Sequence, residues 1–300
     1  MRITVTGATG SIGSQLVAEL TARGDEVTVL SRSPDRAGEA LGVEAMAWGV
    51  TGEPAPAEAL AGRDAVVNLV GEPIAQRWSP SVKRAIRDSR VVGTRNLVAG
   101  LHEADPRPRI LVSGSAVGYY GPRGDEPIDE EAPAGEDFLA RVCADWELEA
   151  AAASELGLRV SRIRTGVVLD RPGDALARML PPFRLGLGGP VAGGGQWMAW
   201  VHIDDVLGII LAALDGDDWS GPFNACAPEP VTNRDFSRAL GRAIRRPAIA
   251  PVPAAAVRLL FGEMSEIVTT GQRAVPARAL VLGYEFRRPA LDAALRAALA

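Results

Sequence analysis

Short apolar runs alternate along this chain with longer amphipathic stretches. Strand-like runs fall at residues 3–6, 27–30, 65–70, 110–113 and 160–163, with helical stretches at 12–23, 81–101 and 138–156. The first helical stretch carries Ile12, Leu16, Val17 and Leu20, the recurrence that gives a helix one apolar face. This order of elements predicts an α/β fold, a doubly wound parallel sheet with helices on both faces. Ligands of such sheets sit at the carboxyl ends of the strands. The residues after each run, 7–13, 31–32, 69–72 and 113–120, are therefore the candidate site.

The pattern changes after about residue 169. The stretch 180–196 is rich in glycine and proline, which punctuate regular structure, and a smaller C-terminal α/β substrate lobe is predicted to begin here. A strongly apolar helix at 206–214, with Asp204 or Asp205 as its expected N-cap, is predicted to pack back on the sheet. The expected division is a first domain of residues 1–169, rejoined by about 200–215, and a lobe of residues 170–300. From Phe223 onward short strands alternate with helices such as 233–245 and 290–299.

Gly7, Gly10 and Gly13 join the first strand to the first helix in GxxGxxG spacing. A strand, a glycine turn and a helix that closes onto a second strand form the setting of a dinucleotide phosphate cradle. The backbone approaches the pyrophosphate, whose charge meets the free N–H groups and dipole of the helix. A plain connecting turn is the alternative reading of the glycines alone. The bulk properties agree with a small-molecule site. Three hundred residues at 47% hydrophobic content supply a large core, and a net charge of −5 argues against gripping nucleic acid or an anionic membrane. Cys143 and Cys226 show no metal-ligand spacing, so no metal site or disulfide framework is expected. The chain enters a strand at once and its longest apolar stretch is too short to span a bilayer. A soluble cytoplasmic protein is expected, with a homodimer as the default assembly.

Several motifs together carry a family resemblance: Asp64-Ala-Val-Val-Asn-Leu-Val-Gly71, Asn68-Leu-Val-Gly-Glu-Pro-Ile74, Ser113-Gly-Ser115-Ala-Val-Gly-Tyr-Tyr-Gly121, Trp200-Val-His-Ile-Asp-Asp205 and Phe261-Gly-Glu-Met264. With the glycine turn, they make the chain resemble the extended short-chain dehydrogenase/reductases. More narrowly, it resembles the NAD(P)-dependent epimerase-family proteins that end in a small domain of unknown function. The resemblance implies a Rossmann domain. By position it implies that Gly7, Thr9, Gly10, Ser11, Ile12 and Gly13 hold the pyrophosphate and that Ser31 and Arg32 meet the adenosine ribose. Leu69, Val70 and Gly71 would contact the adenine side and the nicotinamide ribose. Arg90 points toward the cofactor on this reading, or is a solvated helix charge on the plainer one. The second strand ends Val29-Leu30-Ser31-Arg32-Ser33, without the carboxylate that NAD-preferring proteins place there. Arg32, with Ser31 or Ser33 and with Arg36 at the rim, suits a 2′-phosphate, so the expected cofactor is NADP(H).

The wider superfamily works with a Tyr-x-x-x-Lys pair, and this chain has none. Its tyrosines are Tyr119, Tyr120 and Tyr284 and its single lysine is Lys83. Aligning Glu147 with the usual helix glutamate puts Leu139 and Cys143 at the pair positions; an offset of one puts Phe138 and Val142 there. Hydride chemistry belongs to the nicotinamide, so another group must move the proton. The candidates are Ser113 and Ser115 as donors to a carbonyl or as ribose ligands, Tyr119 or Tyr120 as acid, and Glu72 as acid or base. Each has a structural alternative: capped strand ends for the serines, a packed aromatic turn for the tyrosines, a solvated carboxylate for Glu72. His202 is expected to orient the turn before the next helix, and Cys143 to be a small buried residue. Phe183, Trp197 and Met198 are either an apolar substrate wall or inter-lobe core. Two functions remain open on these residues. One is an NADP(H)-dependent oxidoreductase or epimerase-like enzyme acting on a small molecule; the other is a catalytically silent NADP-binding protein that reports to a protein partner, for which the resemblance implies one in cell division.

Overall fold

Seven parallel strands form the central sheet of the computed structural model, which describes residues 1–170 and 174–300. Their spatial order is Gly221–Ala225, Arg159–Thr165, Ile110–Ala116, Ala65–Asn68, Arg2–Thr6, Glu26–Ser31 and Glu44–Ala47. Side chains on a strand alternate between faces, and that alternation sorts the central residues into two layers. Ile3, Val5 and Val112 meet Leu16 and Leu20 of helix Ser11–Ala22 and Ile209 and Ile210 of helix Ile203–Asp215. Val66 and Leu111 face the other way, onto Leu97 and Leu101 of helix Pro80–Glu103 and Ala150 of helix Phe138–Ala151. A parallel sheet covered on both faces buries its central strands completely, which explains why they read as continuous apolar runs.

The two edge strands escaped the hydrophobic pattern. Glu44–Ala47 is short and only half-buried, and Gly221–Ala225 opens with Gly221-Pro222. Proline is tolerated there because an edge strand leaves one row of backbone groups unpaired. Strand Ala65–Asn68 stops at Asn68, two residues before the expected end, as the chain turns against the glycine loop. Helix Asp174–Arg184 runs through Pro181 and Pro182, where punctuation was expected. Its apolar face holds it in place: Leu176, Leu180 and Phe183 join Met198, Trp200, Phe236, Leu240 and Leu295 in a separate core beneath helices Asn233–Ala243 and Leu291–Leu299. Phe183 and Met198 are thus core, not a substrate wall.

Helix Ile203–Asp215 packs on the sheet as expected, but its cap differs. His202 is the N-cap, its Nδ1 accepting from the Asp204 backbone N–H at 3.1 Å. Asp205 instead accepts the backbone N–H groups of Arg287 and Arg288, at 2.7 and 3.0 Å. No described helix is long and apolar enough to cross a membrane.

Candidate cofactor site

The glycine turn is built for close approach. Gly7 adopts φ 67°, and a Cβ there would lie 2.6 Å from the Leu69 carbonyl. A Cβ on Gly13 would overlap the Gly7 carbonyl oxygen and lie 2.8 Å from Ala8 Cα. The Gly10 N–H donates to Gly7 O at 3.1 Å, and Gly10 caps helix Ser11–Ala22 without a side chain. The first N–H groups of a helix lack intrahelical partners, and Thr9 and Gly10 are exposed. The turn therefore presents an open, electropositive cradle that a side chain would fill. Ile12 packs partly into the sheet core instead of facing the cradle's mouth.

Beside the cradle, Ser31 ends the second strand and its Oγ accepts the Ser33 N–H at 3.1 Å. Arg32 is exposed and in no ion pair among the described residues. Leu69 and Val70 are half-buried against Gly7, with the Leu69 N–H donating to Thr6 O at 3.2 Å. Gly71 packs directly on the guanidinium of Arg90, which donates from Nη1 to Glu72 O at 2.9 Å and Ile86 O at 3.2 Å. Its guanidinium carbon stands 5.4 Å from the Trp146 ring centre. Burial depresses the Arg90 pKa below its ordinary value, against the opposing pull of nearby Cys143 and Glu72. Arg90 is thus not a solvated helix charge. It props the loop that carries Gly71 and Glu72, whose own N–H donates to Ser89 Oγ at 2.9 Å.

The serine and tyrosine candidates separate once their partners are visible. Ser113 is 0% exposed with its hydroxyl turned to Gly114 O at 3.3 Å. Ser115 is 5% exposed and donates its one proton to Glu147 Oε1 at 2.7 Å. That carboxylate is gripped by Arg164, Nε to Oε1 at 2.7 Å and Nη2 to Oε2 at 2.9 Å. Arg164 Nη1 continues to the Tyr120 hydroxyl at 2.9 Å, and Tyr120 donates to Asn224 Oδ1 at 2.7 Å. The Asn224 N–H donates in turn to Glu130 Oε1 at 2.9 Å. In this structure both hydroxyl protons, of Ser115 and of Tyr120, are held by partners within the protein. Burial raises the Tyr120 pKa further, despite Arg164 beside it. Burial alone would lower the Arg164 pKa, but its bond to Glu147 raises it.

Tyr119 differs from its neighbour. It is half-buried, the Arg164 guanidinium stacks 3.6 Å above its ring centre, and its hydroxyl has no hydrogen bond among the described residues. At the position aligned with the superfamily lysine, burial pushes the Cys143 thiol up to about 12, keeping it protonated. Trp197 stands at the protein's edge, its indole N–H on Asp125 at 2.8 Å and Arg273 over its ring at 4.5 Å.

The sequence reading missed the Glu147–Arg164 pair as a pair, and it missed Asp170, which accepts from Ser11 Oγ at 2.8 Å and Gln15 Nε2 at 2.9 Å. The signal for the first was present in Arg159-Val-Ser-Arg-Ile-Arg-Thr165: charges at alternate positions of a buried strand require a partner on that face.

Comparison with known proteins agrees with this architecture. The family model described as NAD dependent epimerase/dehydratase family matches residues 3–226, and a domain of unknown function, DUF1731, matches residues 252–298. The chain is 41% identical over 300 residues to the Epimerase family protein SDR39U1 homolog, chloroplastic, of Arabidopsis thaliana, covering 99% of this chain and 86% of that protein. It is 39% identical to Epimerase family protein SDR39U1 of Bos taurus over 100% of both chains. Among solved structures, human epimerase family protein SDR39U1 (isoform 2) with NADPH superposes with a TM-score of 0.90 at 36% identity, covering 100% of this chain and 99% of that one. The chain thus belongs to the NAD-dependent epimerase/dehydratase family, within the extended short-chain dehydrogenase/reductases, and carries the DUF1731 domain at its C-terminal end.

Proposed function

We propose that this chain binds NADP(H) and acts as an oxidoreductase or epimerase-like enzyme on a small molecule. The observation that carries the reading is the cradle at residues 7–13, where the Gly13 position has no room for a Cβ and the helix start is open. NADPH bound to the human relative of 36% identity supports it. The residues fit the group: Gly7, Gly10 and Gly13 with the N–H groups of Ser11 and Ile12 would hold the pyrophosphate, and Leu69 to Gly71 would line the far side. Arg32 and Ser31 would meet the 2′-phosphate. When bound, the nicotinamide supplies the hydride chemistry. The chain's own part is to hold the dinucleotide, to keep Gly71 in place through Arg90, and to supply a proton.

NADPH is expected to bind at least about tenfold more tightly than NADH, because a hydrogen bond to a charged group contributes about 1.5–3 kcal/mol. Arg32→Ala should erase the difference by weakening NADPH alone. Calorimetric titration of both nucleotides against both proteins checks this; equal affinities in the parent protein would remove the 2′-phosphate assignment.

For the proton, Tyr119 carries the hydroxyl left without a partner at the carboxyl end of strand Ile110–Ala116, with Glu72 on the opposite loop. General acid catalysis contributes about a hundredfold or more. Tyr119→Phe should therefore lower NADPH oxidation with an accepted carbonyl substrate by that factor while leaving the NADPH Kd unchanged. Undiminished turnover would clear Tyr119 of the role. The commitment of Ser115 and Tyr120 to the buried network also supports the second reading, a catalytically silent NADP-binding protein. Failure to consume NADPH with any of a broad carbonyl panel would select it.

A further inference from the structure

We propose that Asp170 tunes the phosphate cradle downward: a fixed carboxylate beside the helix start that loosens the hold on a dinucleotide and speeds its release. The inference rests on the reading of residues 7–13 as a pyrophosphate cradle.

Asp170 directly follows strand Val167–Leu169 and is 4% exposed. Its Oδ2 accepts both the Ser11 hydroxyl, at 2.8 Å, and the Gln15 side-chain amide, at 2.9 Å. Ser11 is the first residue of helix Ser11–Ala22, immediately after Gly10. Two consequences follow for an anion arriving at that helix start. A serine hydroxyl has one proton, and Ser11 gives it to Asp170, so Ser11 offers an incoming phosphate its backbone N–H alone. The same carboxylate places negative charge one side chain away from the N–H groups that would receive the pyrophosphate, and like charges repel most strongly where water is excluded.

Among the described residues, the partners of that carboxylate are neutral. Asp170 is in no ion pair among the described residues. His202 ends the adjoining strand Trp200–His202, opposite Leu169, and is buried. Its Nδ1 accepts from the Asp204 N–H, while its Nε2 is buried without a partner. Burial lowers the His202 pKa, favouring the neutral ring, against the opposing pull of Asp204, Asp205 and Asp170. Arg288, which acts on His202, pairs with Asp204 at 3.3 Å. A buried carboxylate whose described partners are both neutral donors, set against a site that must receive an anion, is a poor device for tight binding and a suitable one for rapid exchange.

The test uses the full chain, with NADPH and NADH as probes in calorimetry and stopped-flow release at low and high salt. Asp170→Asn is expected to bind both nucleotides about three- to tenfold more tightly, mainly through slower release. The gain should shrink as salt rises. Asp170→Ser, which removes the charge without adding an amide, should show the same sign and guards against a misfolded asparagine variant. Equal gain for both nucleotides places the effect at the pyrophosphate, whereas the Arg32→Ala effect falls on NADPH alone. If Asp170 merely braces Ser11, both neutral variants bind more weakly than the parent, and the proposal is overturned. Unchanged affinity and release in both variants would also overturn it. Failure of the parent to bind either nucleotide would instead remove the cradle reading beneath it.

Discussion

Glu147→Ala is expected to lower the stability of the protein by about 3–5 kcal/mol, the cost of removing one partner of a buried ion pair. The substitution leaves the Arg164 guanidinium, itself 3% exposed, without the carboxylate that holds it at 2.7 and 2.9 Å. It also frees the Ser115 hydroxyl and the Arg162 guanidinium, which lies 3.6 Å from the same carboxylate. Desolvation, not the Coulomb attraction, sets the size of the loss: a charge stranded in the core has exchanged water for nothing. The double variant Glu147→Leu, Arg164→Met should therefore recover much of the loss, since neither charge is then buried. Urea unfolding of the parent, Glu147→Ala and the double variant measures this directly. A Glu147→Ala variant within about 1 kcal/mol of the parent would show that water reaches the pair. Because domains are stable by only about 5–15 kcal/mol in total, the expected loss is a large share of the whole.

Gly13→Ala should weaken NADPH binding by about a hundredfold, the scale of effect that a displacement near 1 Å produces at a positioned site. Alanine favours helix over glycine by about 1 kcal/mol, so propensity alone predicts a more stable protein. The added methyl group, however, would overlap Gly7 O and lie 2.8 Å from Ala8 Cα, and both are backbone atoms of the turn. The turn must move and carry the free N–H groups with it. Gly10→Ala is the matched control. Its methyl group would meet Gly7 O at 3.3 Å, and Gly10 has φ −78°, open to any residue. Its effect should be several times smaller. Calorimetric titration with thermal melting in parallel separates lost binding from lost folding, and parent-like affinity in Gly13→Ala would remove the cradle from the cofactor site.

Local pattern made the interior strands legible, because Ile3, Val5, Val66 and Leu111 are buried by helices on both sides. It could not show the edge strands: Gly221 and Pro222 disfavour a strand when read alone and are tolerated only because of where the strand lies in the sheet. The Gly13 cradle was legible because its cause is steric and sits within seven residues of chain. The fates of Ser115 and Tyr120 were not, since their partners Glu147 and Asn224 lie 32 and 104 residues away. Asp170 reaches Ser11 across 159 residues, a distance at which no spacing rule applies. His202 as N-cap shows the same limit on a shorter scale: Asp204 and Asp205 are the better capping types, but Asp205 is taken by Arg287 and Arg288.

The buried polar network also bears on where this chain can be divided. Family matching marks a second unit at residues 252–298, but that unit is sewn into the first at several points. Asn224 Nδ2 donates to Val275 O at 2.9 Å, Glu130 Oε2 accepts the Arg278 N–H at 3.2 Å, and Arg273–Ala274 pairs in parallel with Pro127–Ile128. Gln272 reaches Val117 O at 2.8 Å, in the turn that carries Tyr119. Cutting before residue 252 would leave each of these groups facing a missing partner, and would strip the support from the tyrosine turn itself. The boundary between the two matched units is therefore not a seam along which the folded molecule comes apart.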